Sequence, residues 1–350
     1  MTDAVFAIPG DLATPTGGYA YARHVLAEWS AGPLRVTHLP LPGSFPEPSA
    51  EDLAVTEAAF ARLPAGAALL VDGLAYGALP APVIRAAGER PLVALVHHPL
   101  GLEAGLAPAR AEALVASERA ALALAHRIVA TSPFTRALLM RDFGVAAQAI
   151  VVAEPGTAPA ARVPVRTTGT VSLLSVGTVI PRKAHHLLVE ALAGLGNLDW
   201  RLTIAGALDR DPACAAALRR TVAERALGER VRLIGAVTRA ELDRLYTETD
   251  VLVSASLFEG YGMALTEGLA RGLPLVASTG GAAADTVPDA AAAKVPPGDV
   301  GALRTALHPL IADPRARRAA ADASWAAGRR LPRWADTAQT IARCLREARP

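Results

Sequence analysis

From Ser256 to Ser278 the chain reads SLFEGYGMALTEGLARGLPLVAS. Two carboxylates, Glu259 and Glu267, flank a glycine-rich turn, Gly260-Tyr261-Gly262. An apolar run leads into the turn. A helical pattern starts near Met263 and stops at Gly272-Leu273-Pro274, a glycine C-cap with proline behind it. Strand, glycine turn and helix start together make an anion site, with backbone N–H groups and the helix dipole facing the ligand. Carboxylates beside such a site repel phosphate, so hydroxyls of a sugar or ribose are the partners they suit. On spacing alone, a solvated Glu259 and a capping-type Glu267 fit equally well.

Other candidates are scattered. The chain has two lysines, Lys183 and Lys294, against 33 arginines. An arginine-rich coding bias accounts for the arginines but poorly for Lys183, just past a strand end in LLSVGTVIPRKAHH. Lys294 has no motif around it and reads as a surface residue. Gly17 and Gly18 open a helical pattern after the first apolar run. His97 and His98 end another run, PLVALVHH, and adjacent residues on a strand point to opposite faces, so one of them can line a site. Asp209-Arg210-Asp211 matches a metal-binding D-x-D pattern. However, Asp211 precedes Pro212 and an alanine-rich run, which is an N-cap with proline at N1, so no metal is expected. There is no dinucleotide fingerprint, Walker A motif or G-x-S-x-G elbow.

Short apolar runs at 4–9, 68–73, 91–98, 127–132 and 149–156 alternate with helical patterns at 18–30, 50–63, 108–125 and 133–142. Such runs, lacking polar alternation and separated by helices, predict parallel strands buried on both faces. Pro155–Thr170, rich in Pro, Gly and Thr, reads as a linker. The alternation restarts with strands at 171–177, 201–206, 231–235, 250–256 and 274–279, and helices at about 183–195, 212–226, 238–248, 262–271 and 299–312. A last helix runs from Trp334 to about Glu347. Two doubly wound α/β domains are therefore expected, with ligands outside the carboxyl ends of the strands and a cleft between the domains.

The 350 residues, 52% hydrophobic, exclude a disulfide mini-scaffold, a coiled coil and a disordered tail. Two cysteines, Cys214 and Cys344, suit a reducing compartment. A net charge of +2 gives no global pull toward nucleic acid. The N-terminal MTDAVFAIPGD lacks the basic region of a signal peptide, and no 18-residue stretch is apolar enough to span a bilayer, so a cytoplasmic protein is expected. The basic stretch RARRAAADAS to GRRLPRW (315–334) reads as a solvated face that leaves room for weak peripheral attraction to an anionic membrane surface.

Residues Val231–Asp299 resemble the donor domain of the family 4 glycosyltransferases, retaining enzymes of the GT-B fold. The E-x7-E motif is Glu259 and Glu267. Ahead of it, GAVTRAELDRLYTETDVLVSAS has the family's G-x-V-x-x-x-E-L…Y…D pattern. Behind it stand A-x-G-x-P at Ala270–Pro274, then Gly280-Gly281 and Pro297-Gly298-Asp299. Residues 173–192 resemble the segment that opens the same domain, and GDLATPTGG resembles the family's first-loop glycine pair. Two features depart from the pattern: Glu154-Pro155-Gly156 replaces N-G-hydrophobic, and Asp285 replaces the glutamate after the glycine pair.

The resemblance implies a GT-B chain. Residues 1–160 with the helix 331–350 would form an acceptor-side domain, and residues 170–330 a nucleotide-sugar donor domain. Arg182 and Lys183 would hold the donor diphosphate, assisted by Gly177 and by backbone groups around Gly260, Tyr261, Gly262 and Met263, with Thr266 nearby. Glu267 would bind ribose hydroxyls, and Glu259 the sugar near its anomeric carbon. Gly17, Gly18 and one of His97 and His98, with His98 slightly favoured, would serve the other side. No cofactor is implied beyond the nucleotide sugar itself. The acceptor, whether glycan, lipid or small molecule, is open. Alternatives are a GT-B phosphorylase or epimerase and a non-catalytic nucleotide-sugar binder.

Overall fold

A computed structural model describes residues 3–348. The chain divides into two units. Residues 1–156 with 332–350 form the first and residues 157–331 the second. Each is built on a six-stranded parallel sheet.

The first sheet contains β1 (Ala4–Pro9), β2 (Val36–Leu41), β3 (Ala68–Asp72), β4 (Leu92–Val96), β5 (Arg127–Ala130) and β6 (Ile150–Val152), in the order β2-β1-β3-β4-β5-β6. The second contains β7 (Val171–Val176), β8 (Trp200–Ala205), β9 (Val231–Gly235), β10 (Val251–Ser254), β11 (Leu275–Ser278) and β12 (Ala292–Val295), in the order β12-β11-β10-β7-β8-β9. Chain order reverses between β1 and β3 in the first sheet and between β7 and β10 in the second. At such a reversal the loops leaving the two strands diverge to opposite faces and open a crevice for a ligand.

The central strands follow their sequence. β1, β3 and β4 are buried at every position because helices cover both faces. Two strands were not anticipated, β2 and β12, and both lie at a sheet edge. β2 alternates His38 and Pro40 with apolar residues, and Pro40 is tolerated because an edge strand has one unpaired side. The expected linker is also corrected in part. From Thr157 the chain belongs to the second unit, where Val163 is buried and its N–H donates to Arg271 O.

The basic C-terminal stretch is a helix, Pro314–Gly328, capped by Asp313. Arg315 and Arg318 are exposed, but Arg317 is not solvated. It is buried and donates to the carbonyls of Leu310, Ile311 and Arg166, tying off the C-terminal end of the helix Val300–Ala312. The last helix, Trp334–Glu347, packs on the helix Gly17–Ser30 of the first unit. Trp334 stacks on His24 with ring centroids 4.3 Å apart and meets Tyr21 edge-on. Trp29 Nε1 donates to Ala338 O. Gly156 lies flat against Trp334, where a Cβ would come within 2.2 Å of the Trp334 nitrogen.

Candidate functional site

The second unit places its candidates at the β7/β10 reversal. The loop after β7 makes a turn of 3-10 helix at Pro181–Lys183, and the loop after β10 carries Ser256–Glu259. The two are joined by backbone, because Leu257 N–H donates to Arg182 O. Lys183 Nζ then meets Glu259 Oε1 at 2.6 Å, and Arg182 Nη1 stands 3.9 Å from Oε2 while donating to Phe258 O. Ser256 Oγ donates to the same Oε1 at 2.7 Å and sits 3.1 Å from Ser254 Oγ.

Glu259 is therefore buried and paired, not solvated. Burial pushes its carboxyl pKa up, but the Lys183 ammonium, the hydrogen bonds from Lys183 and Ser256, and Arg182 together outweigh it and hold the pKa below the ordinary value. The result is a fixed carboxylate beside two fixed cations.

The glycine pair after β11 explains how this loop is held. Glu259 N–H donates to Gly280 O, and Ala282 N–H donates to Glu259 O. A Cβ on Gly280 would lie 2.1 Å from Leu257 O, and one on Gly281, at φ +66°, 2.4 Å from Glu259 O. Only glycines let the two backbones run this close.

His185, which the sequence did not single out, holds the loop after β7. Its Nε2 is 3.2 Å from Gly177 O and its Nδ1 3.3 Å from Ser175 Oγ. Burial, reinforced by Lys183 and opposed by the Gly177 carbonyl, pushes its pKa down to about 4. The ring is neutral at physiological pH, so Nε2–H donates to Gly177 O and Nδ1 accepts from Ser175. Gly177 in turn borders the Lys183 stem.

The helix Met263–Leu269 begins at Gly262, whose φ is +100°. Tyr261 is buried. Thr266 is also buried, and its hydroxyl donates to Met263 O one turn back, so its donor is used inside the helix and its acceptor lone pairs remain. Glu267 is no capping residue. Arg239 donates to its Oε1 and Tyr246 Oη to its Oε2 at 2.8 Å. Burial first, and then the Glu267 carboxylate, raise the Tyr246 pKa well above that of a free phenol and keep it a donor.

The first unit places its candidates at the β1/β3 reversal. The helix Gly17–Ser30 follows β1, and Asp72 closes β3. His97, at the end of β4, lies against Gly18, where a Cβ would be 3.6 Å from His97 Cδ2. Its Nε2 is 3.5 Å from Asp72 Oδ2, and its ring meets Tyr21 edge-on at 5.0 Å. Tyr21 is locked by its hydroxyl to Ala153 O, and Asp72 Oδ1 accepts from Leu74 N–H. It is thus His97, not the slightly favoured His98, that adjoins the glycine pair. His98 lies 4.0 Å from Glu103.

Behind that loop Glu118 is buried, accepts from Leu100 N–H, and is pushed by burial up to about 8. Asp211 caps its helix through Cys214 N–H, as expected. Lys294 is not a free surface residue, since it ties Asp289 to Ala284 O.

Asp72, Tyr246, Arg239 and His185 escaped the sequence reading as site residues. Asp72 is a polar end to the apolar run ALLVD, and Tyr246 stands inside the motif block ahead of Glu259. Both are signals that could have been read.

Residues 162–324 match the family model for glycosyl transferases group 1. The matched stretch covers nearly the whole of the second unit. A D-inositol 3-phosphate glycosyltransferase of Pseudarthrobacter chlorophenolicus is 32% identical over 168 residues, 44% of this chain and 40% of that protein. The chain spans between 40% and 60% of the length of the curated relatives it matches. Among solved structures, sucrose-phosphate synthase from Thermosynechococcus elongatus superposes with a TM-score of 0.81 at 22% identity, covering 98% of both chains. Anabaena Alr3699/HepE, solved in complex with UDP and glucose, gives 0.74 at 18% identity over 98% of this chain and 99% of that one. These likenesses establish the two-domain GT-B fold. The Lys183–Glu259 pair and Glu267 lie within the stretch that matches the family model.

Proposed function

We propose that the chain is a retaining glycosyltransferase that moves a sugar from a nucleoside diphosphate sugar to an acceptor hydroxyl. The observation that carries the reading is the buried pairing of Lys183 and Glu259 beside Arg182 at the β7/β10 reversal. Such a site suits a ligand with adjacent anionic and hydroxyl parts. Lys183 and Arg182 would stabilise the diphosphate, whose charge grows as the nucleotide leaves. N–H groups around Gly262 and Met263 would assist. Glu267 would take the ribose hydroxyls and Glu259 the sugar hydroxyls near the anomeric carbon. The UDP and glucose found in the Anabaena structure support this ligand class.

Neither carboxylate is placed as a free nucleophile, since Glu259 is committed to Lys183 and Ser256. Attack on the same face as departure, with the leaving phosphate accepting the acceptor's proton, is the mechanism that needs no further base. Catalysis then rests on positioning and charge. The two cations supply the charge balance a metal would otherwise give, so the reading requires neither metal nor cofactor. The first unit would host the acceptor, a glycan, lipid or small molecule, near Gly17, Gly18 and His97. A cytoplasmic site of action fits the two free cysteines. Among the described residues no helix is long and apolar enough to cross a membrane.

The test is a thermal-shift screen of UDP-, GDP- and ADP-sugars, followed by product analysis. One donor class should stabilise by about 2.7 kcal/mol at a hundred times its Kd and yield an α-linked product from an α-linked donor. Phosphate-dependent cleavage without nucleotide, or binding without turnover on any acceptor class, would refute it.

A further inference from the structure

The orientation of Glu267 is set from outside its own helix. Tyr246 and Arg239 both come from the helix Arg239–Thr247, and each takes one carboxylate oxygen, Tyr246 Oε2 and Arg239 Oε1. The partner expected from helix spacing is Arg271, four residues on, but it is engaged elsewhere. Its guanidinium lies 4.6 Å over the Tyr246 ring, pairs with Asp243, and donates to the main-chain oxygen of Glu267. Asp243 also braces Arg239 at 2.8 Å. Tyr246 is fully buried, so its hydroxyl has no water to turn to.

This arrangement fixes both oxygens of a side chain that would otherwise rotate freely. An ionised carboxylate has about four acceptor positions. With one donor on each oxygen, each keeps capacity for a second. What remains is a pair of acceptors at fixed spacing, the complement of two neighbouring hydroxyls.

We propose that Tyr246 and Arg239 are positioning residues that hold Glu267 as the acceptor for the vicinal diol of the nucleotide ribose. The inference rests on the nucleotide-sugar reading above and adds two residues to it. Tyr246 acts through Glu267 and does not itself touch the ligand.

Tyr246→Phe removes one oxygen atom and leaves the ring in place under Arg271. Calorimetry on the whole chain would measure the Kd of UDP and GDP, each beside its 2′,3′-dideoxy counterpart, for wild type and variant. The wild type is expected to prefer the ribose form. Tyr246→Phe should weaken the ribose form about tenfold and leave the dideoxy form within about twofold, so the preference shrinks. Equal weakening of both forms would mark a merely structural residue and overturn the inference, as would an unchanged preference. A wild type without preference overturns the diol reading of Glu267 and the inference with it. Arg239→Gln, at the more exposed end of the network, carries the same comparison if Tyr246→Phe fails to fold.

Discussion

The two sheets place their chemistry at the same topological feature and furnish it differently. At the β7/β10 reversal, oppositely charged groups meet at 2.6 Å, buried, with the glycine pair and His185 bracing the loops behind them. At the β1/β3 reversal, Asp72 and His97 stand 3.5 Å apart, and His97 is held mainly by ring contacts with Tyr21 and the flat surface of Gly18. Tight pairing suits a ligand whose charge is always the same, because preorganised charges need not rearrange as it reacts. A looser pair beside an aromatic wall suits a ligand selected by shape and hydroxyls. The contrast teaches that fold position alone does not decide the chemistry of such a crevice. The degree to which its charges are already paired does.

The largest expected effect breaks the tight pair. Lys183→Met should cut transfer by roughly 10² to 10³. It should also destabilise the fold by about 3–5 kcal/mol, since Glu259 is left buried with the neutral Ser256 hydroxyl and only the more distant Arg182 to balance its charge. Adding Glu259→Gln should restore the melting temperature and leave transfer lost, separating the charge pair's structural role from its chemical one. A Lys183→Met protein that both melts and turns over like wild type contradicts the account.

The corresponding change in the first unit should be milder. Asp72→Asn keeps the helix cap on Leu74, because asparagine caps as well as aspartate. Steady-state kinetics should show transfer reduced about tenfold or less, carried in the acceptor's KM, with nucleotide affinity unchanged. A loss equal to that of Lys183→Met would erase the distinction between the two crevices.

The smallest effect concerns the bend beside Lys183. Ala184 sits at φ +49°, a left-handed conformation that costs a Cβ-bearing residue about 1–2 kcal/mol. Ala184→Gly relieves that strain but removes a buried methyl worth about 0.8 kcal/mol, so stability should change by less than about 1 kcal/mol in a denaturant titration. A loss of more than about 2 kcal/mol would mean that the methyl's packing outweighs the strain at this bend.

What the sequence discloses follows the same division. Long apolar runs announce the central strands, since burial on both faces demands them. The edge strands β2 and β12 do not announce themselves, because Pro40, His38 and Lys294 interrupt the apolar signal where one side faces outward. Arg182, Lys183, Glu259 and Glu267 lie in compact blocks and were legible. The groups that orient them were not, because Tyr246 and Arg239 reach Glu267 only after folding, and His185 resembles any buried helix residue. Asp72 and His97 come from separate strands, and nothing in the linear order pairs them.

The C-terminal helix has a consequence for synthesis. Because Trp334 and Ala338 complete the packing around Tyr21, His24 and Trp29, the first unit is split in sequence and the second is inserted within it. Residues 157–331 can close their core as soon as they are made. The first unit completes its packing around Trp29 only when the helix Trp334–Glu347, which follows the whole of the second unit in sequence, is in place.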